Sequence, residues 1–166
     1  MLRLNLGCAD SFKDSPVINV DRTFPPSWVI PKKYKTQEVD LNVYPWPWDD
    51  SSVEHIIAHD IIEHLPDRIG TMNEIWRVLA PGGQAEIIVP DALMGAGFLQ
   101  DPTHVSMWTM NSFQYYMDGS FARGRLGDAY GIKARFRYAA GPARMHYNPD
   151  PFDDVYKVHV TLEAVK

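Results

Sequence analysis

Four short apolar runs and one mixed segment, Gln37 to Leu41, follow one another along the chain, and each ends in or near a small or polar residue. They are Leu2 to Leu6 at Gly7, Val17 to Val20 at Asp21, Gln37 to Leu41 near Asp40, Val53 to Ala58 at His59-Asp60, and Ala85 to Val89 at Pro90-Asp91. Runs of this length bounded by turn residues read as buried strands. Their alternation with helical or irregular segments predicts a parallel sheet. In an open parallel sheet, ligands bind beyond the carboxyl ends of the strands, near the point where the strand order reverses. The terminal residues of the five segments would therefore converge on one crevice.

The connections are uneven. Cys8 to Pro16 is too short and polar for a long crossover helix, and Pro25, Pro26 and Pro31 deny the next connection an uninterrupted one. Asp67 to Leu79 places Ile69, Met72, Ile75, Trp76 and Leu79 at helical spacing before the breakers Pro81-Gly82-Gly83, which predicts a helix. Pro90-Asp91 is expected to close the fifth strand. From Met94 to Gly131 the chain reads as irregular or helical, with Asn111 to Met117 a short helix. Lys133 to Tyr138 and Val155 to Val165 alternate with period two, as a closing antiparallel pair would. The expected fold class is α/β, a Rossmann-like doubly wound, mostly parallel sheet with an antiparallel closing strand pair. At 166 residues the chain fits a single domain, residues 1–166.

Charge and cysteine content narrow the partners. A net charge of -5 supplies no sequence-wide basic field, so nucleic acid is disfavoured as a partner. Arg123, Arg125, Lys133, Arg135, Arg137 and Arg144 crowd one stretch, and Asp150, Asp153 and Asp154 follow it. That stretch is open to two readings, a contact for an anionic small molecule or a solvated face. Cys8 is the lone cysteine, so no intramolecular disulfide can form. The amino terminus enters a strand-like run at once, and no apolar segment is long enough for a bilayer; a cytoplasmic protein without membrane contact is expected.

The chemistry lies in the strand ends. Gly7 lets backbone approach a ligand closely, and an acidic residue ending the second strand, Asp21, can accept from both hydroxyls of a ribose. Asp40 could accept from an adenine amino group while Leu41 clasps the ring. A dinucleotide would ask for Gly-x-Gly-x-x-Gly against its pyrophosphate, whereas Gly7 stands with Ala9 and no third glycine. A nucleoside without phosphate fits better.

Leu4-Asn5-Leu6-Gly7-Cys8-Ala9, Ile18-Asn19-Val20-Asp21, Asp40-Leu41, His59-Asp60-Ile61-Ile62-Glu63-His64 and Trp76-Arg77-Val78-Leu79-Ala80-Pro81-Gly82-Gly83, in that order, resemble class I S-adenosylmethionine-dependent methyltransferases. The chain looks most like their compact type-11-like group, which continues with an Asp-Pro-Thr-His segment, here Asp101 to His104. The resemblance implies S-adenosylmethionine as cofactor, with contacts from Gly7, Cys8, Ala9, Asp21, Arg22, Asp40, Leu41, His59 and Asp60. His59 would lie near the methionyl amino group or sulfonium. Ala9 departs from the family's usual second glycine, and its methyl would crowd the cofactor.

Two further groups have competing readings. Asp101 and His104 are suited to general-base work on a protic acceptor; alternatively, Asp101-Pro102 forms a turn and His104 packs structurally. His55, His59, Glu63 and His64 invite a metal, yet the run misses both His-Glu-x-x-His and His-x-x-Glu-His, so no metal is expected and Glu63 and His64 are read as local fixtures. Trp76 at helical spacing reads as core, whereas Trp46 and Trp48, in a loop, suggest an interaction surface. The function expected is methyl transfer to a small-molecule or saccharide-like acceptor, with Asp91 to Arg144 supplying most acceptor contacts. The alternative is a non-catalytic cofactor-binding module on the same fold.

Overall fold

The computed structural model describes residues 1–147 and 155–166; Asp150, Asp153 and Asp154 lie outside the described residues. Strands β1 (Leu2–Leu6), β2 (Ile18–Asp21), β3 (Lys35–Glu38), β4 (Val53–His59), β5 (Leu79–Gly95), β6 (Phe136–Tyr147) and β7 (Val155–Ala164) form one sheet in the order β3-β2-β1-β4-β5-β7-β6. β1 to β5 pair in parallel, and β7 is antiparallel to both β5 and β6. The order reverses between β1 and β4, so the crevice for a ligand opens where those two strands end.

The connections follow their composition. Residues between β1 and β2, and between β2 and β3, form no helix, as the short polar and proline-broken segments predict. Between β4 and β5 runs α1 (Arg68–Val78), whose first turn is capped by Asp67 accepting from the Gly70 N–H at 2.8 Å. Its Met72, Ile75 and Val78 pack on Leu4, Leu6, Ile56, Ala58, Ala85 and Ile87 from one face of the sheet. Trp108, Phe113 and Tyr116 join the same core, Trp108 stacking on Phe113 with ring centroids 5.3 Å apart. On the other face His55, Ile57, His59, Glu86, Ile88, His159 and Thr161 stay half-exposed. The winding is double in strand order, while the large core is on one face.

Several boundaries move. β3 ends at Glu38 rather than near Leu41, leaving Asp40 in the loop beyond it. β5 continues past Pro90 to Gly95. That is tolerated because the pairing of β4 with β5 ends at Ile88, so Pro90 lies beyond the parallel ladder, and past it Asp91 bridges Trp108. β6 starts at Phe136 rather than Lys133. The predicted helix near Asn111 is a 3-10 helix, Met110–Tyr116; α2 (Gly97–Gln100) and α3 (Phe121–Leu126) flank it.

Trp46 and Trp48 are buried and form no interaction surface, which corrects the expectation for that loop. Their indole N–H groups point inward, Trp46 donating to the Leu41 carbonyl at 3.1 Å and Trp48 to Gln37 at 3.2 Å. Within the arginine-rich stretch, Arg123, Lys133 and Arg135 line one cleft together with Lys166, and three of the arginines are also engaged inside the protein. Arg123 donates to the Ala134 and Ile132 carbonyls, Arg137 pairs with Glu163, and Arg144 pairs with the buried Asp91 at 2.7 Å. Among the described residues, no helix is long and apolar enough to cross a membrane.

Candidate functional site

Two clefts adjoin at the carboxyl ends of β1, β2 and β4. The first, about 390 Å³, is lined by Gly7, Asp21, Arg22, Val39, Asp40, Leu41 and Asn42 on one side and by Ile61, His64, Leu65 and Thr103 on the other. The second, about 510 Å³, includes Asp60, Glu63, His64, Asp101, His104 and Lys157. His64 belongs to both walls.

The first cleft is built by the turn after β1. Gly7 has φ +60°, and a Cβ there would stand 2.4 Å from the Ile61 side chain, so both the backbone and the close approach demand glycine. Ala9 follows at φ +43°, also left-handed. The turn is held by Asp21, whose Oδ2 accepts the Ala9 N–H at 2.8 Å while Oδ1 accepts the Arg22 N–H at 2.7 Å. Each carboxylate oxygen keeps a further lone pair for a ligand hydroxyl. Asp40 accepts from the Asn42 backbone and side-chain N–H groups, both at 3.0 Å, which holds its carboxyl below the usual range; Arg22 adds to the effect.

Five of the nine expected cofactor contacts, Gly7, Asp21, Arg22, Asp40 and Leu41, line this cleft. The other four do not. Cys8 is buried with its thiol turned to the Ala9 carbonyl, and burial together with the Asp21 charge pushes the thiol up to about 11. Ala9 holds the turn through its backbone. His59 turns to the opposite sheet face, where its Nε2 lies 2.9 Å from Glu86, because side chains alternate along β4 and Ala58 takes the core side. Asp60 lines the second cleft and pairs with Lys157 at 2.6 Å. Val39, Asn42, Ile61, His64, Leu65 and Thr103 are the cleft residues not among the expected contacts. Their signal is faint, since His64 stands at the end of the fourth motif and Thr103 in a segment remote in sequence.

In the second cleft, Asp101 forms a turn and also faces the pocket. Its Oδ1 accepts from the Thr103 N–H at 2.8 Å and from the Thr103 hydroxyl at 2.6 Å, which lowers its pKa. His104 Nδ1 donates to the Phe98 carbonyl at 2.9 Å, leaving Nε2 3.9 Å from both Asp101 Oδ2 and Glu63 Oε1. Glu63 is 1% exposed, neither carboxylate oxygen has a hydrogen-bond partner, and burial pushes its pKa up to about 8. Its backbone carbonyl accepts from the Val105 and Ser106 N–H groups, each at 2.9 Å, which fastens the Asp101 segment beside the end of β4.

Residues 6–87 match the family model of a methyltransferase domain. The fold resembles a chain of the complex between the Haloferax volcanii Trm112 methyltransferase activator and a methyltransferase, with TM-score 0.63 at 14% identity over 99% of this chain and 83% of that one. It also resembles an S-adenosylmethionine-dependent methyltransferase from Mesorhizobium loti, with TM-score 0.60 at 11% identity over 98% and 90% of the two chains. A third neighbour is the Burkholderia thailandensis 1,6-didemethyltoxoflavin-N1-methyltransferase, solved with its substrate and S-adenosylhomocysteine, at TM-score 0.61 and 12% identity over 99% and 71% of the two chains. No curated protein matches the sequence significantly.

Proposed function

We propose that the chain, whose residues 6–87 match a methyltransferase domain, is a class I methyltransferase that uses S-adenosylmethionine to methylate a small-molecule acceptor, saccharide-like compounds included. The observation that carries this reading is the pair of clefts that meet at His64, one lined by adenosine-recognising groups and the other by Asp101 and His104. A small-molecule enzyme among the structural neighbours supports the acceptor class.

The residues of the first cleft fit the cofactor. Asp21 would accept the ribose hydroxyls through its spare lone pairs, and Asp40 with Leu41 would take the adenine amino edge and ring. Bound there, S-adenosylmethionine supplies an activated methyl group on a positively charged sulfur. Its leaving group becomes neutral, so the protein's main task is to align the partners and exclude water. A base is needed only for a protic acceptor, and Asp101 and His104 stand in the second cleft to serve one. The lone cysteine suits action in the cytoplasm.

Calorimetry tests the first step: S-adenosylmethionine or S-adenosylhomocysteine should bind more tightly than NAD, and equal or tighter NAD binding would overturn the adenosine argument. Methyl-labelled cofactor offered with a panel of hydroxylated and nitrogenous small molecules tests the second. Cofactor binding without transfer to any of them would turn the proposal into a non-catalytic binding module.

A further inference from the structure

We propose that Glu63, His64 and His104 form a binding site for a first-row divalent transition-metal ion, with its open coordination positions toward the second cleft. One ligand atom from each residue lies within 4.8 Å of the others. Ligands on one such ion stand roughly 3 to 3.5 Å apart, given bonds of about 2.0–2.2 Å, so binding would draw the three groups together by about one ångström.

The hydrogen bonds around the two imidazoles fix which nitrogen is available. The Phe98 carbonyl can only accept, so His104 Nδ1 carries the proton and Nε2 presents a lone pair beside Glu63. Thr103 spends its hydroxyl proton on Asp101 Oδ1, so its oxygen accepts from His64 Nδ1 at 3.0 Å, and His64 Nε2 is likewise a lone pair. Imidazoles anchored through one nitrogen, with the other free, are the usual outer arrangement of metal-bound histidines.

Glu63 provides the independent observation. A carboxyl group 1% exposed, with no hydrogen-bond partner on either oxygen, is an unmet buried polar group whose charged form a bound cation would favour. The nearby cation does not do so, since Lys157 is drawn to Asp60 at 2.6 Å. Two imidazoles and one carboxylate suit zinc, iron, cobalt or nickel better than magnesium or calcium, which prefer all-oxygen shells. Three protein ligands leave positions open on the ion, and the cleft they face would admit an oxygen donor of the bound molecule, a hydroxyl or carboxylate. That last step, the identity of the bound molecule as the methyl acceptor, rests on the function proposed above. The spacing argument against a metal considered one local run of residues, whereas the completing ligand arrives from the Asp101 segment, fastened to the Glu63 carbonyl.

The test uses the full chain, stripped with a chelator and titrated with Zn²⁺ in competition with a chromophoric chelator, without cofactor or acceptor. The wild type should bind one equivalent, and Zn²⁺ should raise its melting temperature. Glu63→Gln and His64→Ala should each weaken binding by roughly 100-fold or more and lose the melting shift, while Thr103→Val, which frees His64, should weaken it by about tenfold. His64 is only partly buried, so its variant retains the fold even if the Glu63 variant does not. Failure to bind Zn²⁺, or equal binding by wild type and His64→Ala, would overturn the site. Either result would leave cofactor binding and methyl transfer untouched. Conversely, Zn²⁺ binding in a chain that ignores S-adenosylmethionine would sink the enzyme proposal and retain the metal site.

Discussion

The carboxylate of Asp21 clasps the turn after the first strand, taking the Ala9 N–H on one oxygen at 2.8 Å and its own neighbour's N–H on the other. It therefore shapes the first cleft as well as lining it. Asp21→Ala should weaken S-adenosylhomocysteine binding by roughly 1 to 3 kcal/mol, through loss of charge-assisted hydrogen bonds to the ribose and loosening of the turn. Calorimetry, with circular dichroism to verify the fold, measures this. An unchanged dissociation constant would remove Asp21 from the site.

Ala9 sits at φ +43°, where an L residue is strained, and its side chain is exposed outside the lining of the cleft. The cost of alanine there is conformational. Relieving it is worth about 1 kcal/mol after the added freedom of glycine in the unfolded chain is subtracted. Ala9→Gly should raise the denaturation midpoint slightly and leave cofactor affinity equal or better. Clearly weaker binding would show that alanine is a fitted contact.

His104 belongs to the second cleft alone, so its removal should separate chemistry from cofactor binding. Whether its Nε2 serves as the base or as a metal ligand, His104→Asn should lower turnover on the true acceptor by roughly 10²-fold while S-adenosylmethionine affinity stays within about twofold. Parallel losses of stability and turnover would mark His104 as structural.

The Cys8 thiol, pushed from 9.0 to about 11 chiefly by burial, holds far less thiolate near neutrality than an open cysteine. At pH 8 its alkylation by iodoacetamide should run about 100-fold slower in the folded chain than in urea. As the folded pKa exceeds the unfolded one, stability that is complete below pH 9 should decline as the pH rises toward 11. Mass spectrometry follows the first effect and denaturation curves the second. Equal alkylation rates would show that the turn opens freely.

Arg77 ties the buried tryptophan loop to α1. It donates to the Trp46 carbonyl at 3.0 Å and the Trp48 carbonyl at 2.9 Å, and it pairs with Asp50 at 2.6 Å and Glu74 at 2.7 Å. Arg77→Ala leaves two carbonyls and the largely buried Glu74 without their cation, which should cost about 3 kcal/mol in urea denaturation. A loss below about 0.5 kcal/mol would show that the loop is held by packing alone.

The parallel sheet was legible because β1, β2, β4 and β5 hold apolar runs that end in residues unable to continue them, as at Gly7 and Asp21. β3 was misjudged because Lys35 to Glu38 carries no apolar pattern; as an edge strand it is held by backbone pairing with β2. Trp46 and Trp48 defeated periodicity because their burial depends on partners, Leu41, Gln37 and Arg77, that only the fold assembles. In the site, Gly7 and Asp21 were placed by strand order, and with Arg22, Asp40 and Leu41 they line one cleft. His59 shows the limit of that logic, since reaching the end of a strand does not decide which face a side chain takes. His64 and Thr103 could not be paired from sequence, because their meeting depends on backbone hydrogen bonds between Glu63 and the Val105-Ser106 segment.

His64 faces both clefts, and through Thr103 it is fastened to the Asp101 turn. Two ligands that press on one side chain from opposite sides have interdependent binding free energies, and thermodynamic linkage makes the effect reciprocal: the factor by which one alters the other's affinity is returned in full. Ligands bound in both clefts would therefore be coupled through His64, and an affinity measured on one side would be defined only at a stated saturation of the other.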